Sequence, residues 1–160
     1  MRITAKWISV SVAFAALYAV GVIFLAPISF GVVQVRVADA LLPLSMVFGL
    51  PSVLGLSLGC LISNSYGSIG HLDVIGGPIA NFLATFIAWF IAKRGGVTHR
   101  FIGSILETII VTLIVGGYLS VIFDTPLELS LFGVLIGSII AINILGFPLE
   151  EMIRRNLKSA

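Results

Sequence analysis

The feature that most constrains this chain is the recurrence of apolar stretches long enough to cross a lipid bilayer. They occupy residues 7–25, 40–64, 76–92, 101–123 and 127–149. A helical crossing needs about 20 apolar residues. Only 10% of the residues are charged, whereas a soluble domain carries about 25%. The sequence therefore predicts an all-α, multi-pass protein of the cell membrane, in which residues 1–160 form a single domain.

Basic residues predict the orientation of this protein in the membrane. Eight of the nine Lys and Arg residues lie in three groups. These are Arg2 and Lys6, then Lys93, Arg94 and Arg100, and finally Arg154, Arg155 and Lys158. The positive-inside rule places all three groups in the cytoplasm. Arg36 is the one basic residue that falls elsewhere.

This charge pattern decides how residues 40–64 are threaded. A single crossing there would put the basic loop at residues 93–100 outside, so the segment must enter the membrane and return. Gly49-Leu50-Pro51 is the natural turning point, because proline disfavours helix for the residue before it. Two full crossings need more than 25 residues, so we expect the first arm to begin near Val35 or both arms to be short. The sequence thus predicts six transmembrane helices with both termini cytoplasmic, and outer loops at residues 26–39, 65–75 and 124–126.

Polar residues in the first two outer loops are candidate ligand contacts. Gln34, Arg36 and Asp39 stand in an otherwise apolar sequence and offer the donors and acceptors that a flat heterocycle requires. The alternative is an Arg36–Asp39 ion pair that caps the second helix. The candidates that follow are Asn64, Tyr66, His71, Asp73 and Asn81, with Phe30, Tyr66 and Phe82 as possible stacking rings.

Each of these later residues also has a structural interpretation. Residues 65–75 could be a solvated loop in which Asp73 caps the next helix, and His71 with Asp73 is too weak a pattern to predict a metal. Asn81 and Asn143 could join helices. Glu107 lies within a crossing, so we expect it to be protonated, paired with Arg100 or Lys93, or bonded to a partner chain.

The sequence lacks the motifs of the common enzymes. It has no Gly-x-x-x-x-Gly-Lys-Ser/Thr loop, no Gly-x-Ser-x-Gly elbow and no His-Glu-x-x-His helix. We therefore expect no catalysis, no cofactor and no nucleic-acid partner. Small residues recur at four-residue spacing in Ser11, Ala15 and Ala19 and in Gly55 and Gly59, which predicts close helix contacts.

The run Ala-Pro-Ile-Ser-Phe-Gly-Val-Val-Gln-Val-Arg-Val-Ala-Asp-Ala-Leu-Leu-Pro, residues 26–43, resembles the signature of the QueT family of queuosine-precursor transporters. That signature has Gln-x-Arg-x-x-Glu-Ala-Leu after a Pro-Ile-Ser-Phe-Gly turn, so Asp39 replaces the family's glutamate. The resemblance is strongest over residues 16–43, is looser over residues 59–84 and fades after Lys93.

The resemblance implies a substrate-binding (S) component of an energy-coupling factor transporter. Such a subunit has six helices and captures its substrate, here a 7-deazaguanine-type queuosine precursor, from outside with its first loop and the loop before its fourth helix. Its partners would be membrane lipid, a membrane coupling subunit that contacts Ser11, Ala15 and Ala19, and two cytoplasmic ATPases. The alternatives are an S component for another vitamin or nucleobase, and a scaffold subunit that binds no ligand.

Overall fold

The computed structural model describes residues 4–29, 35–67 and 69–159, and the regular elements in this part of the chain are all helical. The helices are α1 (Ala5–Phe24), α2 (Val37–Phe48), α3 (Leu50–Gly67), α4 (His71–Ala92), α5 (Gly96–Ile122) and α6, which begins at Leu127. A four-residue helical turn, Ala26–Ser29, follows α1. The all-α prediction is confirmed for the described residues.

Two of these helices depart from α geometry in the middle of the bundle. α2 is a 3₁₀ helix over Val37–Leu44 and becomes α-helical over Ser45–Phe48. α6 is α-helical over Leu127–Ser138, π-helical over Ile139–Gly146 and α-helical again over Phe147–Ser159. The 3₁₀ and π segments pack against each other. A β-carbon on Gly146 would lie 2.7 Å from the carbonyl oxygen of Ala40, so the absent side chain permits this contact.

Basic residues from each of the three groups that the sequence placed on one side lie at one end of the bundle: Lys6, Arg100 and Arg154. Lys6 sits beside Val47 at the turn between α2 and α3. Arg154 Nη2 donates to the Met46 carbonyl oxygen at 2.6 Å, which brings the end of α6 to the same turn. Arg100, at the start of α5, forms ion pairs with Glu150 and Glu151 of α6. We call this the basic end; the opposite end, where Arg36 lies, is the polar end.

The turn between α2 and α3 occurs where the sequence predicts it. Gly49 has φ 73°, a left-handed conformation that glycine adopts without steric cost, and the chain reverses there. α2 begins at Val37, close to the predicted start of the first arm. Because a 3₁₀ helix rises about 2.0 Å per residue against 1.5 Å in an α-helix, this short helix reaches further into the bundle than an α-helix of equal length.

Four helices, α1, α4, α5 and α6, are long and apolar enough to cross a membrane. α2 is a shorter apolar helix, and α3 has 18 residues. The protein is therefore an all-helical membrane protein with at least these four candidate crossings among its described residues. The count of six crossings and the cytoplasmic position of both termini stay predictions.

The small-residue faces of α1 and α3 hold these two helices together. A β-carbon on Gly55 would lie 2.3 Å from the backbone oxygen of Ser11, and one on Gly59 would lie 2.6 Å from that of Ala15. The Ser11 hydroxyl also donates to the Pro51 carbonyl at 2.8 Å. In a membrane, where lipid tails are as apolar as leucine, such close backbone approach is a main source of helix association.

The predicted outer loop at residues 65–75 is wrong in extent. α3 continues to Gly67 and α4 already begins at His71, so His71 and Asp73 belong to a helix. Asp39, predicted in the first outer loop, is likewise helical, in the first turn of α2. Polar residues of these segments predict loops from the sequence, whereas Asp39 and Asp73 are buried inside the bundle.

Candidate ligand-binding site

Arg36 is the centre of a buried polar cluster at the polar end. It directly precedes α2, and only 5% of it is exposed. Its Nη2 lies 3.0 Å from Asp73 Oδ1 on α4, and its Nη1 donates to Cys60 Sγ on α3 at 3.8 Å. Nε donates to the Ser29 carbonyl oxygen at 3.4 Å. The guanidinium therefore joins the segment before α2 to α3 and α4.

Asp73 is fully buried and fixes the position of Arg36. Its Oδ1 accepts hydrogen bonds from Arg36, from Asn64 Nδ2 at 3.1 Å and from the Tyr118 hydroxyl at 2.8 Å. The prediction that Asp73 caps α4 in a solvated loop is wrong. The cap residue is Gly70, which has no side chain to offer, and Asp73 lies within the first turn of the helix.

Asp39 has a different partner from the one the sequence suggested. The Tyr18 hydroxyl of α1 donates to Asp39 Oδ1 at 2.6 Å. The predicted alternative of an Arg36–Asp39 ion pair is wrong, because the carboxylate that the structure pairs with Arg36 is that of Asp73. The two acidic residues thus divide the roles between them: Asp73 holds the guanidinium, and Asp39 is held by a neutral phenol.

A small cavity lies beside Asp39 and Arg36. Its polar lining is Arg36, Asp39, Asn81 and Ser138, and its other lining residues are Val111, Val115, Val134 and Gly137. The volume open to the centre of a water molecule is about 10 Å³, so the cavity has room for about one water molecule. A pair of fused rings does not fit this conformation, so such a ligand would enter only if the helices around the cavity moved apart.

Three polar atoms of the cluster lack hydrogen-bond partners among the described residues. They are Asp73 Oδ2, Asn64 Oδ1 and Asn81 Nδ2, and all three are buried. Buried polar groups are nearly always paired, and leaving one unpaired costs about 1–3 kcal/mol. Two acceptors and a donor are therefore available to a polar molecule that enters the cluster.

A protein-family model described as QueT transporter matches residues 8–155. The chain belongs to the QueT transporter family. The match confirms the resemblance carried by residues 26–43 and extends it over the second half of the chain, where the motif had faded. No curated protein and no solved structure matched the chain. Family membership makes this chain a membrane transport protein.

The candidate residues of this QueT-family chain do not all meet at the cluster. Arg36, Asp39, Asn64, Asp73 and Asn81 do, whereas the structure leaves Tyr66 77% exposed and His71 exposed. Gln34 and Phe30 lie outside the described residues. Asp73 is buried and His71 is exposed, and no group of three or more metal ligands exists in residues 4–29, 35–67 and 69–159.

Three residues of the cluster were not predicted from the sequence. Tyr18 and Tyr118 donate to the two aspartates, and Cys60 contacts Arg36. A tyrosine near the end of an apolar stretch is typical of an anchor at the membrane interface, so neither tyrosine stood out. A lone cysteine in an apolar run indicates no particular neighbour. A better signal is that Asp39 and Asp73 accompany a single arginine, Arg36. One of the two carboxylates therefore needs a hydrogen-bond donor other than that arginine.

The predicted coupling face of α1 packs partly against α3 and partly borders a groove on the surface. Ser11 and Ala19 are buried, and Ala15 packs partly against Gly59. Beside them runs an apolar groove of about 360 Å³. Its lining residues are Ser11, Val12, Ala15, Ala16, Leu58 and Ile62. The small residues therefore serve the contact with α3 and also open a groove on the surface of α1 and α3.

Proposed function

We propose that this chain is the substrate-binding (S) component of an energy-coupling factor transporter and captures a 7-deazaguanine-type queuosine precursor from outside. The observation that carries the proposal is the buried polar cluster at the polar end, in a chain of the QueT transporter family. A transporter of apolar cargo has no use for a cluster that combines two carboxylates, a guanidinium and two amides.

The cluster is chemically complementary to a guanine-like ring. Asp39 lines the cavity and offers a carboxylate to the two adjacent N–H groups of such a ring. The donors that suit the ring carbonyl are Arg36, which Asp73 holds in place, and Asn81, whose Nδ2 has no partner among the described residues. Valines of α5 and α6 provide an apolar wall for the face of the ring.

The closed cavity implies that capture includes a rearrangement. α2 and α6, the two helices with non-α segments, both border the cavity or the residues that line it. Such segments often mark functional hinges, because a change of helical geometry alters length and twist at little cost. Movement of α2 against α6 is therefore the simplest way to admit a ring.

Transport also requires partners that the chain does not contain. Its sequence has no phosphate-binding loop for ATP, so two cytoplasmic ATPases and a membrane coupling subunit would supply the energy. The apolar groove beside Ala16 suits a helix of the coupling subunit, because small side chains allow close approach in lipid.

The decisive experiment is equilibrium binding of 7-deazaguanine and of 7-deazaadenine to the purified protein. We expect 7-deazaguanine to bind at least about tenfold more tightly, because an adenine-like edge offers Asp39 a ring nitrogen lone pair where a guanine-like edge offers N–H. Mass spectrometry of the small molecule released from freshly purified protein gives an independent check. If neither ring binds and no small molecule is released, the chain is a scaffold subunit; if another compound is released, the S component has another cargo.

A further inference from the structure

Two glutamates are completely buried in this bundle, and their surroundings differ sharply. Glu150 of α6 lies 3.2 Å from Arg100 Nε and 2.7 Å from Arg154 Nε, so its charge is compensated twice. Glu107 of α5 has no cation within ion-pair distance among the described residues. Its Oε1 is 3.5 Å from Ser45 Oγ of α2, and its Oε2 has no hydrogen-bond partner there.

The pairings that the sequence offered for Glu107 are wrong. Arg100 is engaged by Glu150 and Glu151 at the basic end. The ammonium of Lys93 lies 3.6 Å above the ring of Trp89. A partner chain has no access either, because none of Glu107 is exposed on this chain by itself.

The groups that face Glu107 also disfavour a negative charge. Asp39 of α2 and Glu150 of α6 act on it electrostatically, and both are acidic. From α4, the Thr85 carbonyl oxygen accepts a hydrogen bond from the Ser45 hydroxyl at 3.2 Å. A buried carboxylate without a cation is so costly that such groups take up a proton instead.

We propose that Glu107 is a proton-binding site inside the membrane and carries a proton in this conformation at neutral pH. Water supplies the proton when the bundle closes, and the carboxylate becomes a neutral carboxyl group. Separation of α2 from α5 would admit water to Glu107 and favour release of that proton. Since α2 also carries Asp39 at the cavity, proton binding and the packing of α2 are linked.

Infrared spectroscopy of the purified protein tests the protonation state directly. The C=O stretching band of a protonated carboxyl group is separate from the bands of amides and carboxylates. We expect Glu107→Gln to fold and to remove one such band at neutral pH. The matched variant Glu150→Gln removes none, and it lowers Tm strongly or prevents folding because it leaves Arg100 and Arg154 without their shared carboxylate.

Thermal unfolding across pH gives a second, independent test. In the wild type the folded state keeps the proton of Glu107 while the unfolded chain releases it, so stability from this group is present in acid and is lost as the pH rises. Glu107→Gln has no such proton. The Tm of Glu107→Gln minus the Tm of the wild type should therefore increase by at least about 2–4 °C from about pH 5 to about pH 9.

Three results would overturn the proposal. The first is an unchanged carboxyl band in Glu107→Gln, which would show that Glu107 is ionised. The second is a constant difference in Tm between the two proteins over this pH range. The third is failure of Glu107→Gln to fold while Glu150→Gln folds, because a neutral carboxyl group has a close neutral substitute in glutamine. Ligand binding enters none of these measurements, so they stand apart from the proposed function.

Discussion

At the scale of single residues, the two aspartates of the polar cluster have the same side chain but different partners and different roles. Asp73 accepts three hydrogen bonds through one oxygen, one of them from a buried guanidinium. Asp39 accepts one from a phenol and borders the cavity. The first carboxylate is required to compensate a charge, and the second is available to a ligand. The same substitution at both positions should therefore have different effects.

We expect Asp39→Asn to weaken binding of 7-deazaguanine about tenfold or more, because an amide cannot accept two N–H groups as a carboxylate does. Its Tm should change little, since the Tyr18 hydroxyl can still donate to the amide oxygen. Asp73→Asn is the matched control. It removes the carboxylate charge that forms the buried ion pair with Arg36, which should cost about 3–5 kcal/mol of unfolding free energy.

Isothermal titration and thermal unfolding of both variants give the two quantities that matter. An unchanged dissociation constant in Asp39→Asn would remove Asp39 from the site, whatever its stability. A stable Asp73→Asn variant would mean that the charge of Arg36 is compensated by a group other than Asp73.

The sequence predicted the members of this cluster better than their contacts. Polar side chains stand out in an otherwise apolar sequence, so Arg36, Asp39, Asn64, Asp73 and Asn81 were predicted as candidate ligand contacts, most of them in outer loops. Their partners depend on which helices are neighbours and on the register between them. Pattern reasoning therefore paired Arg36 with the aspartate nearest in sequence, whereas α4 brings Asp73, 37 positions away, to 3.0 Å.

At the scale of helices, the contact of α1 with α3 decides which substitutions can test the coupling of this subunit to a partner. Ser11 and Ala15 lie against Gly55 and Gly59 so closely that larger side chains on this face would separate the two helices. Loss of uptake in such variants would not distinguish a lost partner from a damaged fold. Ala16 lines the groove and is exposed, so it is the better position.

Ala16→Leu should lower uptake strongly and leave ligand binding unchanged, because leucine fills the groove without entering the contact with α3. Ala13→Leu is the matched control: Ala13 is exposed on the same helix but does not line the groove. Uptake by cells and binding by the purified variants are measured in parallel. Equal uptake by the two variants would place the coupling surface elsewhere, and loss of binding in Ala16→Leu would place the groove in the fold.

The sequence also predicted the helices better than the loops between them. The reversal at Gly49 follows from a glycine and a proline, which are local signals, and it is present. The ends of α4 and α5 agree with the predicted segments to within one residue, whereas both helices begin five residues earlier than predicted, because polar residues in their first turns resemble loop sequence. The 3₁₀ and π segments had no sequence signal, since they arise where α2 and α6 pack against each other.

At the scale of the whole molecule, charge and fold agree on two distinct ends. Lys6, Arg100 and Arg154 lie at the basic end together with the turn between α2 and α3. The positive-inside rule assigns this end to the cytoplasm. α2 and α3 are not among the helices that are long and apolar enough to cross a membrane, so the position of their turn decides between six crossings and four.

Cysteine labelling in intact cells tests this topology. One cysteine is introduced at a time, and the thiol reagent does not cross membranes. We expect Tyr66→Cys and Leu127→Cys, at the polar end, to react from outside. Val97→Cys and Val47→Cys should react only after permeabilisation, because the first lies at the start of α5 and the second at the turn between α2 and α3. The wild type is the background control, since its one cysteine, Cys60, is buried. The contrary result is reaction of Val47→Cys from outside while Val97→Cys stays protected. The turn between α2 and α3 would then lie on the outer side, away from the charges of Lys6 and Arg154. In that case α2 and α3 enter the membrane and return without crossing it.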